Sequence, residues 1–154
     1  MSTVDTTTHS DASEKIPFFS KTTSRVLEVS PAASTDALKH FTKKLEFETD
    51  CADVFASYAS HTVDFVLVDV RSRQLYRKSH VPGAINIPVL NLTEDRLKEY
   101  PAQTVFVVYC AGPHCNGANK AAIRISQLGR PVKEMIGGVT GWTDDGFSLA
   151  EGES

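Results

Sequence analysis

The chain has 154 residues, the size of one ordinary domain. Apolar residues make up 41% and charged residues 23%, as in typical soluble globular proteins, which argues against a fibrous or wholly disordered chain. The formal net charge of -3 offers no cationic surface for a polyanion, so nucleic acid is not expected as a partner. A membrane is not expected either, because no run reaches the roughly 18 apolar residues of a spanning helix.

Residues 1–24 are predicted to be a flexible tail, since Ser and Thr supply 11 of them and the apolar residues follow no period. This segment lacks the basic start and apolar run of a secretory signal, and we expect a cytoplasmic location. The chain has three cysteines, Cys51, Cys110 and Cys115. An odd count without export features argues against a disulfide framework and leaves reduced thiols and thiol chemistry open.

A helical extension that packs on the following domain is predicted at residues 25–60. Ser34 or Thr35 is the expected N-cap of its first helix. The apolar residues of that helix recur at intervals of three and four: Leu38, Phe41 and Leu45. A second helix begins near Asp50, and Cys51 is expected to pack inside this helix pair.

Residues 61–150 alternate strands with helices. Continuous β-branched runs at 65–70 and 104–109 are typical of strands covered on both faces. Two further strands are predicted at 84–87 and 132–136. Helices are predicted at 72–78, 93–100, 117–128 and 139–146. This alternation predicts an α/β domain with a mostly parallel sheet of about five strands flanked by helices.

Cys110 directly follows a predicted strand. It therefore lies at the carboxyl end of a parallel sheet, where ligands bind. The next helix begins near residue 117, and Asn116 is expected to cap it. Gly112 and Gly117 allow the intervening backbone to turn its N–H groups inward as an anion-binding nest, which the helix dipole reinforces. A thiol in such a place has a pKa below its usual value of ~8.5, so a nucleophilic thiolate forms at neutral pH.

Substrate is expected to contact the loop and the start of the helix, at Ala111, Gly112, Pro113, His114, Cys115, Asn116 and Lys120. His114 and Lys120 are the nearby candidates for added positive charge. Cys115 has three open interpretations: a second reactive thiol, a resolving partner for Cys110, or a small side chain that lines the loop. No metal is expected, because Cys110, His114 and Cys115 lack a fourth ligand, and no other cofactor is indicated.

Four stretches of the chain, taken in order, resemble the rhodanese-like sulfurtransferase family, specifically its small single-domain members. They are Leu67-Val68-Asp69-Val70-Arg71, His80-Val81-Pro82-Gly83-Ala84-Ile85-Asn86-Ile87-Pro88, Val107-Val108-Tyr109-Cys110 and Gly137-Gly138-Val139-Thr140-Gly141-Trp142. The resemblance implies a three-layer α/β domain at residues 61–150. It also implies that Cys110 takes a sulfur atom from a donor and holds it as a persulfide for an acceptor.

Thiosulfate or a persulfide is the donor that the resemblance implies, and cyanide or a thiol is the acceptor, with a protein acceptor as a further candidate. Asp69 and Arg71 are expected to support the loop structurally, and His80 to be a hydrogen-bonded turn residue. The loop departs from the family pattern: it is about two residues longer, Cys115 stands five after Cys110, and no Arg is present. A donor that is larger or less charged than thiosulfate is therefore an alternative.

Three rival functions are compatible with a cysteine in such a loop. A phosphatase of the Cys-x5-Arg type is disfavoured, because the residues six after Cys110 and Cys115 are Asn116 and Ala121, and neither can clamp a phosphoryl group. A non-catalytic binding module would use the same loop for docking. A thiol oxidoreductase would join Cys110 and Cys115 in a disulfide, which requires Cα atoms within about 7 Å.

Overall fold

The computed structural model of the chain describes residues 23–153. Residues 1–22, most of the predicted tail, lie outside the described residues. Within the described residues, the chain divides into two compact units, with the division between Ala37 and Leu38. In the described part of the first unit, Arg25–Leu27 form a short 3-10 helix with exposed side chains. The limits predicted for tail, extension and domain stay predictions.

Five parallel strands form the sheet of the second unit: β1 (Glu48–Thr49), β2 (Phe65–Asp69), β3 (Ile85–Asn86), β4 (Val105–Tyr109) and β5 (Val132–Met135). Their spatial order is β1-β5-β4-β2-β3, and every neighbouring pair is parallel. The predicted sheet of about five mostly parallel strands is thus confirmed. β1 was not predicted, because two residues carry no periodic pattern.

Besides the 3-10 helices at Arg25–Leu27 and Val89–Asn91, six α-helices are described: α1 (Ser34–Phe47), α2 (Cys51–Ala59), α3 (Arg73–Lys78), α4 (Glu94–Leu97), α5 (Gly117–Gln127) and α6 (Gly138–Asp144). Asp50 caps α2, because its carboxylate accepts a hydrogen bond from the Asp53 amide at 2.8 Å. The expected N-cap of α1 is wrong by one or two positions, since Ser34 is already helical and the Ala33 carbonyl accepts the first bonds.

The two faces of the sheet carry separate hydrophobic clusters, as expected when successive side chains of buried strands point to opposite faces. Val68, Phe106 and Val108 pack with Ile125 of α5 on one face. Leu67 and Val107 pack on the other face, with the buried residues Val54, Tyr76 and Trp142 of α2, α3 and α6. Helix, sheet and helix therefore form the three layers that were predicted, and none of the described helices is long and apolar enough to cross a bilayer.

Cys51 is buried in a different place from the one predicted. Its thiol donates to the carbonyls of Ile136 and Gly138, each 3.6 Å away, between β5 and α6. The reason is β1, which pairs with β5 and thereby brings the start of α2 to this connection. The apolar side chains of α1 are exposed instead: Leu38 at 69%, Phe41 at 61% and Leu45 at 69%.

Candidate active site

Cys110 lies at the carboxyl end of β4, between the ends of β5 and β2. Helix α6 holds this part of the backbone. The Val139 amide donates to the Cys110 carbonyl at 3.1 Å, and the Thr140 amide donates to the Ala111 carbonyl at 3.0 Å. Gly138 has φ +56°, and a Cβ there would lie 2.2 Å from the Cys110 carbonyl oxygen. Only glycine therefore permits this close packing of α6 on the loop.

A tight turn brings Cys115 back to Cys110. The Cys115 amide donates to the Gly112 carbonyl at 3.0 Å. The two cysteines form a disulfide with their Cα atoms 6.3 Å apart, a separation that a disulfide can span. The argument against disulfides therefore does not hold for this pair, whose pairing was one of the open interpretations of Cys115, since the turn places two residues five apart at bonding distance. Cys51 is the third, unpaired cysteine.

The amino end of α5 adjoins the sulfur pair. A Cβ on Gly117, the first residue of α5, would lie 2.9 Å from the Cys110 Sγ and 3.4 Å from the Cys115 Sγ. Asn116 does not cap the helix with its side chain, contrary to expectation, because its φ of -92° and ψ of 10° are not the extended angles of a capping residue. The partial positive charge of this helix end therefore lies beside the sulfurs without a capping side chain.

Most loop amides donate to no protein acceptor in the described part of the chain. Within residues 23–153, the Cys115 amide has a protein acceptor, whereas the amides of Ala111, Gly112, His114 and Asn116 have none. Available amides in a tight loop are what the predicted anion-binding nest needs. That these N–H groups point inward stays a prediction.

A cavity of about 760 Å³ opens above the disulfide. Cys110 is only 7% exposed at its base. Of the predicted substrate contacts, five line the cavity: Gly112, Pro113, His114, Cys115 and Asn116. Ala111 is half-buried and Lys120 is exposed on α5, and neither is part of the lining.

Carboxylates surround this cavity, which the sequence did not reveal. They belong to Glu48, Asp50, Glu134, Asp144 and Asp145. No Lys or Arg stands among the described lining residues. Burial, together with the charge of Glu48, raises the pKa of Glu134 despite a 2.6 Å hydrogen bond from the Asn119 side chain. These five residues, the acidic rim, make the cavity unfavourable for anions.

The same charges act on Cys51, whose side chain also lines the cavity. Burial raises the pKa of its thiol to about 11, with further contributions from Asp145 and Asp50. Cys51 is therefore a protonated hydrogen-bond donor at neutral pH. Its bonds to the carbonyls of Ile136 and Gly138 tie α2 to the segment that holds the Cys110 loop.

Asp69 and Arg71 form a buried ion pair rather than an exposed one. Arg71 Nη2 lies 2.6 Å from Asp69 Oδ2 and also donates to the Ser79 carbonyl at 2.6 Å. Burial opposes the charge on Arg71, but the hydrogen bond and charge of Asp69 prevail and raise its pKa. The neighbouring Tyr109 hydroxyl accepts a bond from the Val81 amide at 3.0 Å, and burial raises its pKa. This network holds the residue before Cys110.

His80 lies in the same buried region. Its Nδ1 atom is 2.8 Å from the Tyr76 carbonyl, and its ring stacks on that of Tyr76 with centroids 3.8 Å apart. The Ala150 carbonyl accepts a hydrogen bond from the His80 amide. His80 is thus a buried, hydrogen-bonded residue in an isolated bridge with Ala150, and it lies just before the turn at Pro82-Gly83 rather than within it.

Residues 55–145, more than half of the chain, match the family described as Rhodanese-like domain. Among curated proteins, the HTH-type transcriptional regulator Rv0324 of Mycobacterium tuberculosis is 39% identical over 89 residues, covering 58% of this chain and 39% of that protein. The adenylyltransferase and sulfurtransferase MOCS3 of Aedes aegypti is 27% identical over 121 residues, covering 71% of this chain and 27% of that protein. The chain spans less than half the length of these curated relatives.

Solved structures share the fold. The BH2092 protein of Bacillus halodurans superposes with a TM-score of 0.74 at 39% identity, covering 77% of this chain and 87% of that chain. The thiosulfate sulfurtransferase of Pseudomonas aeruginosa superposes with a TM-score of 0.61, covering 73% of this chain and 22% of that chain. At 22% identity, this second likeness concerns the fold alone.

Proposed function

The chain belongs to the rhodanese-like domain family, and from that premise we propose that it is a sulfurtransferase that carries a sulfane sulfur on Cys110. The supporting observation is the place of the Cys110 sulfur. It lies at the base of the cavity and beside Gly117 at the amino end of α5. A thiolate and the persulfide derived from it are both anions, and this helix end stabilises negative charge.

The reaction begins from the reduced cysteine pair. The Cys110 thiolate attacks the outer sulfur of the donor. With thiosulfate, the new S–S bond forms as the old one breaks, and sulfite leaves with the electron pair. Cys110 then carries an anionic terminal sulfur, which loop amides such as those of Gly112 and His114 stabilise by hydrogen bonding. An acceptor attacks that sulfur and releases the Cys110 thiolate, so the cycle needs no cofactor.

The acidic rim bears on the choice of substrate. Thiosulfate is a dianion, and carboxylates around a cavity lower the local concentration of anions. We infer that a donor with less negative charge, such as a persulfide of a neutral or cationic thiol, reacts faster than thiosulfate. Cyanide or a thiol is the acceptor, and a cysteine on another protein is one such thiol. Cytoplasmic thiols would keep Cys110 reduced, which supports that compartment as the place of action.

Intact mass spectrometry tests the proposed function. The protein is reduced, freed of reductant and treated with thiosulfate. The Cys115→Ser variant retains Cys110 and cannot form the disulfide, so we expect it to gain one sulfur atom. The matched Cys110→Ser variant retains Cys115 and Cys51 and should gain none. Failure of Cys115→Ser to gain sulfur from thiosulfate or from a cysteine persulfide refutes the sulfurtransferase and leaves a non-catalytic binding module or a thiol oxidoreductase.

The disulfide supports a second candidate, a thiol oxidoreductase in which Cys110 and Cys115 exchange electrons with a substrate dithiol. Such an enzyme needs no sulfur donor. It predicts that the oxidised protein oxidises a dithiol stoichiometrically, and that neither single-serine variant gains sulfur. Sulfur uptake at Cys110 in the mass measurement would contradict it as the main function.

A further inference from the structure

We propose that Cys115 is a resolving cysteine: its thiol displaces the sulfane sulfur from the Cys110 persulfide as hydrosulfide, and the two residues are left as the disulfide seen in the structure. This inference rests on the proposed persulfide at Cys110. It makes the second cysteine an internal acceptor. The product released to solution is then sulfide rather than a transferred sulfur atom.

The loop is built so that the two sulfurs meet while the fold stays intact. Its start is held by the bonds from α6 to the carbonyls of Cys110 and Ala111, at 3.1 and 3.0 Å. Its end is the first turn of α5, and the bond from the Cys115 amide to the Gly112 carbonyl closes the turn between them. The Cα atoms of the two cysteines stay 6.3 Å apart in this arrangement.

Gly117 provides the space for the sulfur pair. A side chain at this position would overlap the Cys110 sulfur, since even a Cβ would lie 2.9 Å from it. The first turn of α5 thus leaves room for a bond between the two sulfurs. The burial of the two cysteines also differs, because Cys110 is 7% exposed whereas Cys115 is of intermediate exposure. Cys115 is therefore the more exposed residue of the pair.

The step balances in atoms and electrons. The Cys115 sulfur attacks the inner sulfur of the persulfide, which is the Sγ of Cys110. A Cys110–Cys115 bond forms, the bond between Cys110 and the outer sulfur breaks, and that sulfur leaves with the electron pair. The departing sulfur takes up the proton of the Cys115 thiol and leaves as hydrosulfide. The sulfane sulfur is reduced, and the two cysteines are oxidised to a disulfide.

A thiol reductant from solution resets the enzyme. Because Cys115 is the more exposed residue of the pair, the reductant attacks its sulfur and Cys110 departs as the thiolate. This order suits the site, since the departing anion lies beside the amino end of α5. A second thiol group of the reductant then frees Cys115. Turnover therefore consumes two reducing equivalents for each sulfur that enters.

A single-turnover experiment tests the step. Reduced parent protein, freed of reductant, is mixed with thiosulfate, and sulfide in solution and intact mass are followed together. We expect the parent to release about one sulfide per protein and to end two hydrogens lighter than its reduced form. Cys115→Ser should hold one extra sulfur and release at least tenfold less sulfide until an external thiol is added. Cys115→Ala should behave like Cys115→Ser, which separates loss of the thiol from an effect of serine.

Three results would overturn the inference. A parent protein that keeps its extra sulfur, with the Cys115 thiol still open to alkylation, refutes resolution and leaves the sulfurtransferase standing. Equal sulfide release by the parent and both Cys115 variants also refutes it. If neither the parent nor the variants take up sulfur, the proposed function fails and the resolving step fails with it.

Discussion

Replacing Gly138 by alanine should weaken the fold and disable the Cys110 loop together. The added Cβ would lie 2.2 Å from the Cys110 carbonyl oxygen and 3.0 Å from the Gly112 amide nitrogen. Both contacts are to backbone, so no side-chain rotation relieves them. The residue also has φ +56°, where an L-residue with a side chain is strained.

The two costs can be separated. A left-handed backbone angle costs alanine about 1–2 kcal/mol relative to glycine. Overpacking of a filled interior adds about 1–3 kcal/mol. Gly138→Ala should therefore lower the free energy of unfolding by about 2–5 kcal/mol. Gly129→Ala is the matched control, because Gly129 has φ +71° and a Cβ there would meet no atom within 4 Å. Gly129→Ala should lose only the cost of the left-handed backbone angle, about 1–2 kcal/mol.

Urea unfolding monitored by circular dichroism measures both variants. Sulfur uptake from thiosulfate is then measured in the Cys115→Ser background, at a temperature where each variant is folded. Gly138→Ala should take up sulfur at least tenfold more slowly than Gly129→Ala, because the displaced Cys110 carbonyl carries the loop with it. Equal stability losses in the two variants would refute the claimed close contact. Normal sulfur uptake by Gly138→Ala would refute the role of α6 in holding the loop.

The charged and titratable groups of the site lead to three more expectations. Asp69→Asn should cost about 3–5 kcal/mol of unfolding free energy, since it leaves Arg71 buried and unpaired. Asp95→Asn, which breaks the exposed pair with Lys98, should stay within about 0.5 kcal/mol, and equal losses would contradict this. Because the pKa of the Cys51 thiol is raised from 9.0 to about 11, the stability gained by keeping it protonated is present below pH 9 and lost as the pH rises through 11. The free energy of unfolding should thus fall more steeply between pH 9 and 11 in the parent than in Cys51→Ala, and parallel curves would contradict the raised pKa of the Cys51 thiol. The double variant Asp144→Asn/Asp145→Asn should raise kcat/KM for thiosulfate about threefold to tenfold at low ionic strength, with the gain fading in concentrated salt; an equal gain with a thiosulfonate donor, which carries one negative charge where thiosulfate carries two, would argue against a charge effect.

The central strands and the reactive cysteine were predictable because their signals are local. Continuous β-branched runs mark β2 and β4, and Cys110 follows the second of them directly. The three-layer fold then follows from the alternation of strands and helices. Gly112 and Gly117 likewise pointed to a turning loop after Cys110, and this loop lines the cavity.

The acidic rim was not predictable, because it depends on pairing between distant segments. Glu48 and Glu134 meet only because β1 and β5 pair in that register. β1 itself has two residues and no recognisable pattern. Cys51 was misplaced for the same reason. The state of Cys110 and Cys115 depends on the path of the turn at Gly112, which spacing alone leaves open.

The lengths of the outer strands have a consequence for association between molecules. β1 and β3 are the two edge strands of the sheet, and each has only two residues. An exposed edge strand presents unpaired main-chain N–H and C=O groups to which a strand of another chain can add. A short edge strand limits how many such hydrogen bonds can form. The long central strands β2 and β4 lie inside the sheet. The architecture thus protects its most aggregation-prone segments from pairing with other chains.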